Sequence, residues 1–326
     1  MNAISRLVCV VAVALSLAGT TVQAVAQAYP VKPIRIVIPF PPGSGADILA
    51  RAVGTKLTGR WGQQVLVDPR PGASGVIASQ IVLAAPADGY TLMLGTSSSH
   101  AINVSTRRNL PYDPARDFTP VSLVARVPML MTAHPSVPVK NVKELIAFAR
   151  ARPGQLTFAT AGNGTTGHLA GELFKSMAGV DIVHVAYRGS PQALLEAVSG
   201  QVSMTISPIL TALPQVTAGK LRALAVTTPK SSPSAPDVPA LADAGLPGYE
   251  ATLWYGLFAP AHTPREIIVR LGGEVVAILG LADVRESLQQ QGAEPEGLSP
   301  DEFAEFVKSE IAKWAKVVKM SGATVN

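Results

Sequence analysis

IRIVIPFPPGSGADILAR, residues 34–51, is the stretch whose reading decides the fold. Ile34 to Ile38 form an apolar run with the composition of a buried parallel strand. Phe40-Pro41-Pro42-Gly43-Ser44-Gly45 ends that run, because the prolines oppose helix and the glycines permit positive φ. From Ala46 the apolar period becomes helical, with Ile48, Leu49, Ala52, Val53 and Leu57 on one side. Strand, glycine turn and helix together aim several backbone N–H groups at one spot, at the positive end of a helix dipole. Such a spot holds an anion without a basic side chain. A tight βα connection that binds nothing carries the same signature.

Moving outward, the pattern recurs twice. Residues 156–161 read as a strand, followed by Gly162-Asn163-Gly164-Thr165-Thr166-Gly167 and a helix from His168. Residues 182–186 read as another, followed by Tyr187-Arg188-Gly189-Ser190-Pro191 and a helix through Val198. Ser190 is the expected N-cap there, with Pro191 at the first helical position. Three polar, glycine-bearing turns, each opening a helix, are placed to converge on one small acidic ligand. A strand at 90–94 ends in Gly95-Thr96-Ser97-Ser98-Ser99-His100. In open α/β sheets ligands sit beyond the carboxyl ends of strands, which puts Ser98 among the candidate site residues; an ordinary polar loop is the alternative.

Strands alternate with helical stretches from Val31 to about Val226, which predicts an α/β fold with mainly parallel sheets. Two long extended runs, 121–133 (broken by Pro128) and 251–259, read as crossings between two lobes. The expected organisation is residues 27–126 with 251–326 in one lobe and 127–250 in the other. The first glycine turn then faces the other two across a domain interface, where ligand sites concentrate, and hinge closure follows. Asn141 with Glu144, Thr263 with Glu266 and Ser299 with Glu302 predict capping boxes, with Pro264 and Pro300 at first helical positions. The last helix, about 300–320, carries an apolar stripe of Phe303, Phe306, Val307, Ile311 and Trp314 that reads as core packing.

Composition narrows the function. The 326 residues are 48% apolar and 15% charged, enough to bury a sizeable core. The formal charge is a mild +5, and no basic run is interleaved with aromatics, which argues against nucleic acid. Arg6, the apolar stretch 7–17 and Ala24-Val25-Ala26 form a signal-peptide pattern, so residues 1–26 are expected to be cleaved on export to the periplasm. The single cysteine, Cys9, lies inside that segment. No Arg-Arg pair marks the route for folded proteins, so export before folding is expected, and a chain exported unfolded carries no cofactor with it. The five histidines show no ligand-spaced pair, so no metal is expected. Ser97 to Ser99 beside His100 suggest a hydrolase, but no G-x-S-x-G elbow or orienting acid accompanies them. The enzyme alternative is an NAD(P)-dependent oxidoreductase, since 162–167 matches G-x-G-x-x-G; against it, the acid Asp181 precedes the next strand instead of ending it, while Arg188 after that strand would suit a 2′-phosphate.

Longer matches point to a family. They include Tyr29-Pro30 and Lys32-Pro33-Ile34 leading into the first turn, Ala87-Asp88-Gly89-Tyr90-Thr91-Leu92, and Tyr112-Asp113-Pro114. Further on come Gly164-Thr165-Thr166-Gly167-His168-Leu169, Tyr187-Arg188-Gly189, Gly219-Lys220-Leu221-Arg222-Ala223-Leu224-Ala225 and Trp254-Tyr255-Gly256-Leu257. In this order and spacing the chain resembles the Bug-type (TctC-type) periplasmic solute-binding proteins of tripartite tricarboxylate transporters. The resemblance implies a two-lobed, type II periplasmic binding protein-like fold. It also implies a monomeric, non-catalytic receptor for a small mono-, di- or tricarboxylate, held largely by backbone groups and waters. Its partner would be the membrane transporter subunits or, alternatively, a sensor ectodomain. Carried over by position, the ligand-binding residues are Phe40, Pro42, Gly43, Ser44, Gly45 and Asp47, then Gly164, Thr165, Thr166 and His168, then Tyr187, Arg188 and Gly189. Ser44 stands where the family has a glycine, and Ser203 where it often has an acid, which disfavours an amino-acid ligand if that acid lies near the site.

Overall fold

Arg35 is the one residue of β1 (Ile34–Ile38) that is not fully buried, and it forms an ion pair with Asp68 on the neighbouring β2 (Val65–Pro69). The computed structural model describes residues 29–323 and 325, and the expected signal peptide with Cys9 lies outside them. The chain divides into two compact units, Met1–Val31 and Lys32–Asn326, and every element described belongs to the second.

The remaining strands are β3 (Thr91–Thr96), β4 (Phe118–Val127), β5 (Met129–Ala133), β6 (Thr157–Thr160), β7 (Val183–Ala186), β8 (Met204–Pro208), β9 (Arg222–Val226), β10 (Leu253–Pro260) and β11 (Glu294–Pro295). They form two sheets, ordered β11-β4-β10-β3-β1-β2 and β7-β6-β8-β5-β9. The principal helices are α1 (Gly45–Trp61), α2 (Val76–Leu83), α3 (Val142–Ala151), α4 (Thr166–Ala178), α5 (Ser190–Val198), α6 (Ile209–Thr217), α7 (Arg265–Leu279), α8 (Ala282–Gln290) and α9 (Pro300–Ser321). The α/β class and the two-sheet plan agree with the sequence reading, but the sheets are mixed, not mainly parallel. β1 pairs in parallel with β2 and β3, and β6 with β7 and β8. β10 is antiparallel to β3 and β4, and β5 to β8 and β9. The parallel halves come from strand–helix–strand units. The antiparallel halves arise because the chain leaves the first sheet along β4 and returns along β10, so the two lie side by side in opposite directions.

Pro128 alone separates β4 from β5, and its carbonyl accepts a hydrogen bond from Ile209 N (2.9 Å). On the return path the buried Thr227 ties the crossings together. Its hydroxyl donates to Ala251 O (2.8 Å) and accepts from Met129 N (3.1 Å), while its own N–H donates to Met129 O (3.0 Å).

Of the three expected capping boxes, one is complete, on α9: Ser299 accepts from Glu302 N while the Glu302 carboxylate takes Ser299 N. At α3, Asn141 caps Glu144 N (2.9 Å), but the Glu144 carboxylate reaches Lys140 N instead (2.7 Å). At α7 no side chain caps: Thr263 turns its hydroxyl to Pro260 O, and Pro264 is itself the N-cap. Ser190 is likewise the first residue of α5, and Gly189 is the cap. On α9, Phe303, Val307 and Trp314 are buried, and Phe306 and Ile311 are half-buried. Among them lies the buried carboxylate of Glu310, which accepts from the indole Nε1 of both Trp254 (2.9 Å) and Trp314 (3.0 Å).

Candidate functional site

The first turns of α1, α4 and α5 open on one inner cavity. Its polar lining is Ser44, Gly45, Ser98, Thr165, Thr166, Gly167, Ser190 and Tyr255. Phe40, Met129, Ala161, Pro208 and Leu253 complete the wall, and no charged side chain lines it. Among the described residues, the N–H groups of Gly45, Gly167 and Ser190 have no hydrogen-bond partner. The first turn of an α-helix leaves such groups unpaired, and the helix dipole makes them favourable to negative charge.

Each turn is held by its own side chains. Ser44 is the N-cap of α1, accepting from Asp47 N, and the Asp47 carboxylate takes Gly43 N (3.0 Å) and pairs with Arg51 (2.8 Å). The serine that departs from the family glycine is thus a cap. In the second turn Thr165 donates to Gly162 O (2.7 Å) and caps His168 N. Thr166 bonds the serine run: its hydroxyl meets Ser97 Oγ at 2.7 Å, and its N–H donates to Ser98 Oγ (3.2 Å). His168 Nδ1 accepts from Gly164 N (3.1 Å), which requires a ring without a proton at that nitrogen. Burial pushes the His168 pKa down. Its ring stacks on His184 at 4.2 Å, and burial, reinforced by His168, lowers His184 to about 3. The third turn rests on the first. Gly189 has φ +120°, and a Cβ there would lie 2.5 Å from Pro41 Cγ, so only glycine fits.

A second, outer cavity of about 660 Å³ adjoins the inner one and shares Phe40 and Ala161 with it. Of the residues expected from the sequence, Phe40, Ser44, Gly45, Ser98, Thr165 and Thr166 line the inner cavity. Tyr187, Arg188 and Gly189 line the outer one. Pro42, Asp47, Gly164 and His168 line neither; the last three hold the turns from behind. Gly43 faces a separate groove beside Pro191 and Leu210. Ser203 is away from both cavities, bonded to Thr157 on β6, so the missing acid at this position does not alter either wall. Ser99 Oγ does meet His100 Nδ1 (2.8 Å), but neither residue lines a cavity. The His100 ring stacks on Phe258, and burial holds its pKa near 3.

Sequence reasoning missed Ser190 as a wall residue and Arg107 on the outer cavity; it offers Trp254 and Tyr255 together as an apolar wall or as packing at the crossing, and the structure separates the two. Trp254 and Tyr255 are neighbours on β10, so their side chains point to opposite faces. Trp254 goes to Glu310 and the core, and Tyr255 goes to the cavity. The Tyr255 side chain is buried, its hydroxyl has no hydrogen-bond partner among the described residues, and burial raises its pKa well above the usual phenol range. The hydroxyl lies against the start of α1, where a Cβ on Gly45 would meet it at 2.6 Å.

The model of the TctC family, described as the tripartite tricarboxylate transporter family receptor, matches residues 49–323. The chain belongs to the TctC family. A curated relative of this TctC receptor is BugT of Bordetella pertussis, 36% identical, with 98% of each chain covered. Among solved structures, Rhodopseudomonas palustris Rpa4515 with adipate superposes with a TM-score of 0.89 at 43% identity, covering 91% of this chain and 99% of that one. MatC of the same organism, with bound malate, gives 0.84 at 34% identity, covering 89% and 100%. Family members are periplasmic binding proteins, and among the described residues of this TctC receptor no helix is long and apolar enough to cross a membrane.

Proposed function

We propose that this TctC receptor is an exported, periplasmic protein that captures a small carboxylate and delivers it to the membrane subunits of a tripartite transporter. One observation carries the reading: the N-termini of α1, α4 and α5 meet at a single cavity with the amides of Gly45, Gly167 and Ser190 unpaired. Neutral donors aligned with helix dipoles stabilise an anion without the strong desolvation of a buried lysine or arginine. The hydroxyls of Ser98, Ser190 and Tyr255 add donors from the sides. The space open to the centre of a water molecule in the inner cavity is about 30 Å³. A single water needs about 10–15 Å³ on that measure, so the cavity admits about two water-sized groups, the size of one carboxylate head. Adipate and malate, held by Rpa4515 and MatC, belong to the same ligand class.

The two lobes, 27–126 with 251–326 and 127–250, close over the head group in this reading. The crossings at Pro128 and Thr227 supply the hinge, and the Ser97–Thr166 bond and the Gly189–Pro41 contact supply the latch. No chemical step is assigned, because Asp47 and His168 are committed to the turns and Tyr255, the ionisable side chain in the wall, is kept protonated by burial. Calorimetric titration of the mature chain with mono-, di- and tricarboxylates tests this. Saturable binding with the ligand recovered unchanged is expected. Failure of every carboxylate to bind, or conversion of one of them, would overturn it.

A further inference from the structure

The outer cavity has a charge pattern that the inner one lacks. Arg107 and Arg188 line it, and no aspartate or glutamate does. Neither arginine forms an ion pair among the described residues. Arg188 is exposed, and its backbone N–H is held by Gln192 (3.3 Å). Arg107 is half-buried and bonded only to neutral oxygens, Asn103 Oδ1 (3.3 Å) and Ala73 O (3.2 Å). The backbone that Arg107 grips is itself under strain. Ala73 and Ser74 have φ of +46° and +56°, a region that non-glycine residues rarely occupy and that concentrates at functional sites. Asn103 also donates to Ser74 O (3.1 Å), and Ser74 bonds Asn163 O across the cavity. Arg107 is therefore an oriented cation at a built rim, with no carboxylate partner among the described residues.

Given the proposed function, on which this step rests, the inner cavity takes one carboxylate and leaves the rest of the ligand to pass Phe40 and Ala161 into the outer cavity. We propose that Arg107 and Arg188 form a second anion subsite, which makes this receptor selective for linear dicarboxylates over monocarboxylates of the same chain length. The guanidinium fork suits a terminal carboxylate, and charge-assisted bonds of this kind are about twice as strong as neutral ones. A monocarboxylate would leave both cations facing a methyl group. The apolar side chains between the two ends, Phe40 and Ile77, match a methylene chain.

The test is calorimetric titration of the mature protein with the series succinate to suberate, each against the monocarboxylate of equal length. The unaltered protein is expected to bind at least one diacid tenfold or more tighter than its monoacid partner, with the advantage shrinking as salt is raised. In Arg107→Gln, Arg188→Gln and the double variant the ratio should fall stepwise to within threefold. Arg188 is exposed, so R188Q decides the matter alone should R107Q fail to fold. Equal affinity for diacids and monoacids, or a ratio unmoved by both substitutions, overturns the subsite and leaves the proposed function standing. Absence of binding by either class overturns the subsite, and the proposed function falls with it only when tricarboxylates also fail to bind.

Discussion

Tyr255 is the residue on which the inner cavity most depends after the turns themselves. Its phenol stays protonated, because burial raises its pKa, so it faces an anion as a donor. Removing a hydrogen bond to a charged group forfeits about 1.5–3 kcal/mol. Tyr255→Phe is therefore expected to weaken carboxylate binding by about tenfold or more, while the melting temperature without ligand stays where it was, because no protein partner is lost. Titration calorimetry and a thermal melt read the two effects separately. Gly189 is the opposite case, a residue whose lack of a side chain matters. Gly189→Ala must place a Cβ in the left-handed region and against Pro41, so we expect about 1–3 kcal/mol less stability in urea titration and weaker binding. The glycine was legible in the sequence as part of a turn. The contact that makes it indispensable was not, since Pro41 and Gly189 are far apart in the chain.

At the scale of elements, α9 shows a helix whose apolar face is legible in the sequence and whose buried charge is not. Its apolar stripe announces a core helix, and Phe303, Val307 and Trp314 fulfil it. Glu310 is nonetheless buried, with Trp254 on β10 and Trp314 one turn along donating to one carboxylate oxygen and Lys313 pairing with the other (2.9 Å). Leaving two buried indole N–H groups without an acceptor costs about 1–3 kcal/mol each. Glu310→Leu is expected to lower stability by about 3 kcal/mol in chemical denaturation, whereas Glu310→Gln, which keeps one acceptor oxygen, should lose less. β4 and β10 teach a related lesson. Their apolar composition predicts burial, but strand direction depends on which strand each finds as a neighbour, and composition carries no direction.

Across the whole molecule, the histidines set the acid response. His100 and His184 are held near 3 and His168 is also lowered, all first by burial, so the native state keeps these rings neutral. The unfolded chain protonates them near pH 6.5, and stability falls wherever the unfolded state binds more protons. The contribution is therefore complete above about pH 6.5 and is lost progressively as pH falls toward 3. We expect the melting temperature to hold from pH 7.5 to about 6.5 and then to drop down to pH 4.5, with a shallower slope in the His184→Gln variant, measured by thermal denaturation across buffers.

From sequence alone the chain declared its α/β class and its three helix-opening glycine turns, because apolar period, proline and glycine act locally. Tertiary structure alone decided which of those residues face a ligand. It turned Tyr255 inward and Trp254 away, withdrew His168 and Asp47 behind the turns, and brought Arg107 to the cavity that Arg188 also lines. Those outcomes rest on contacts between segments distant in the chain, and a side chain's direction is settled by the neighbours that folding brings to it.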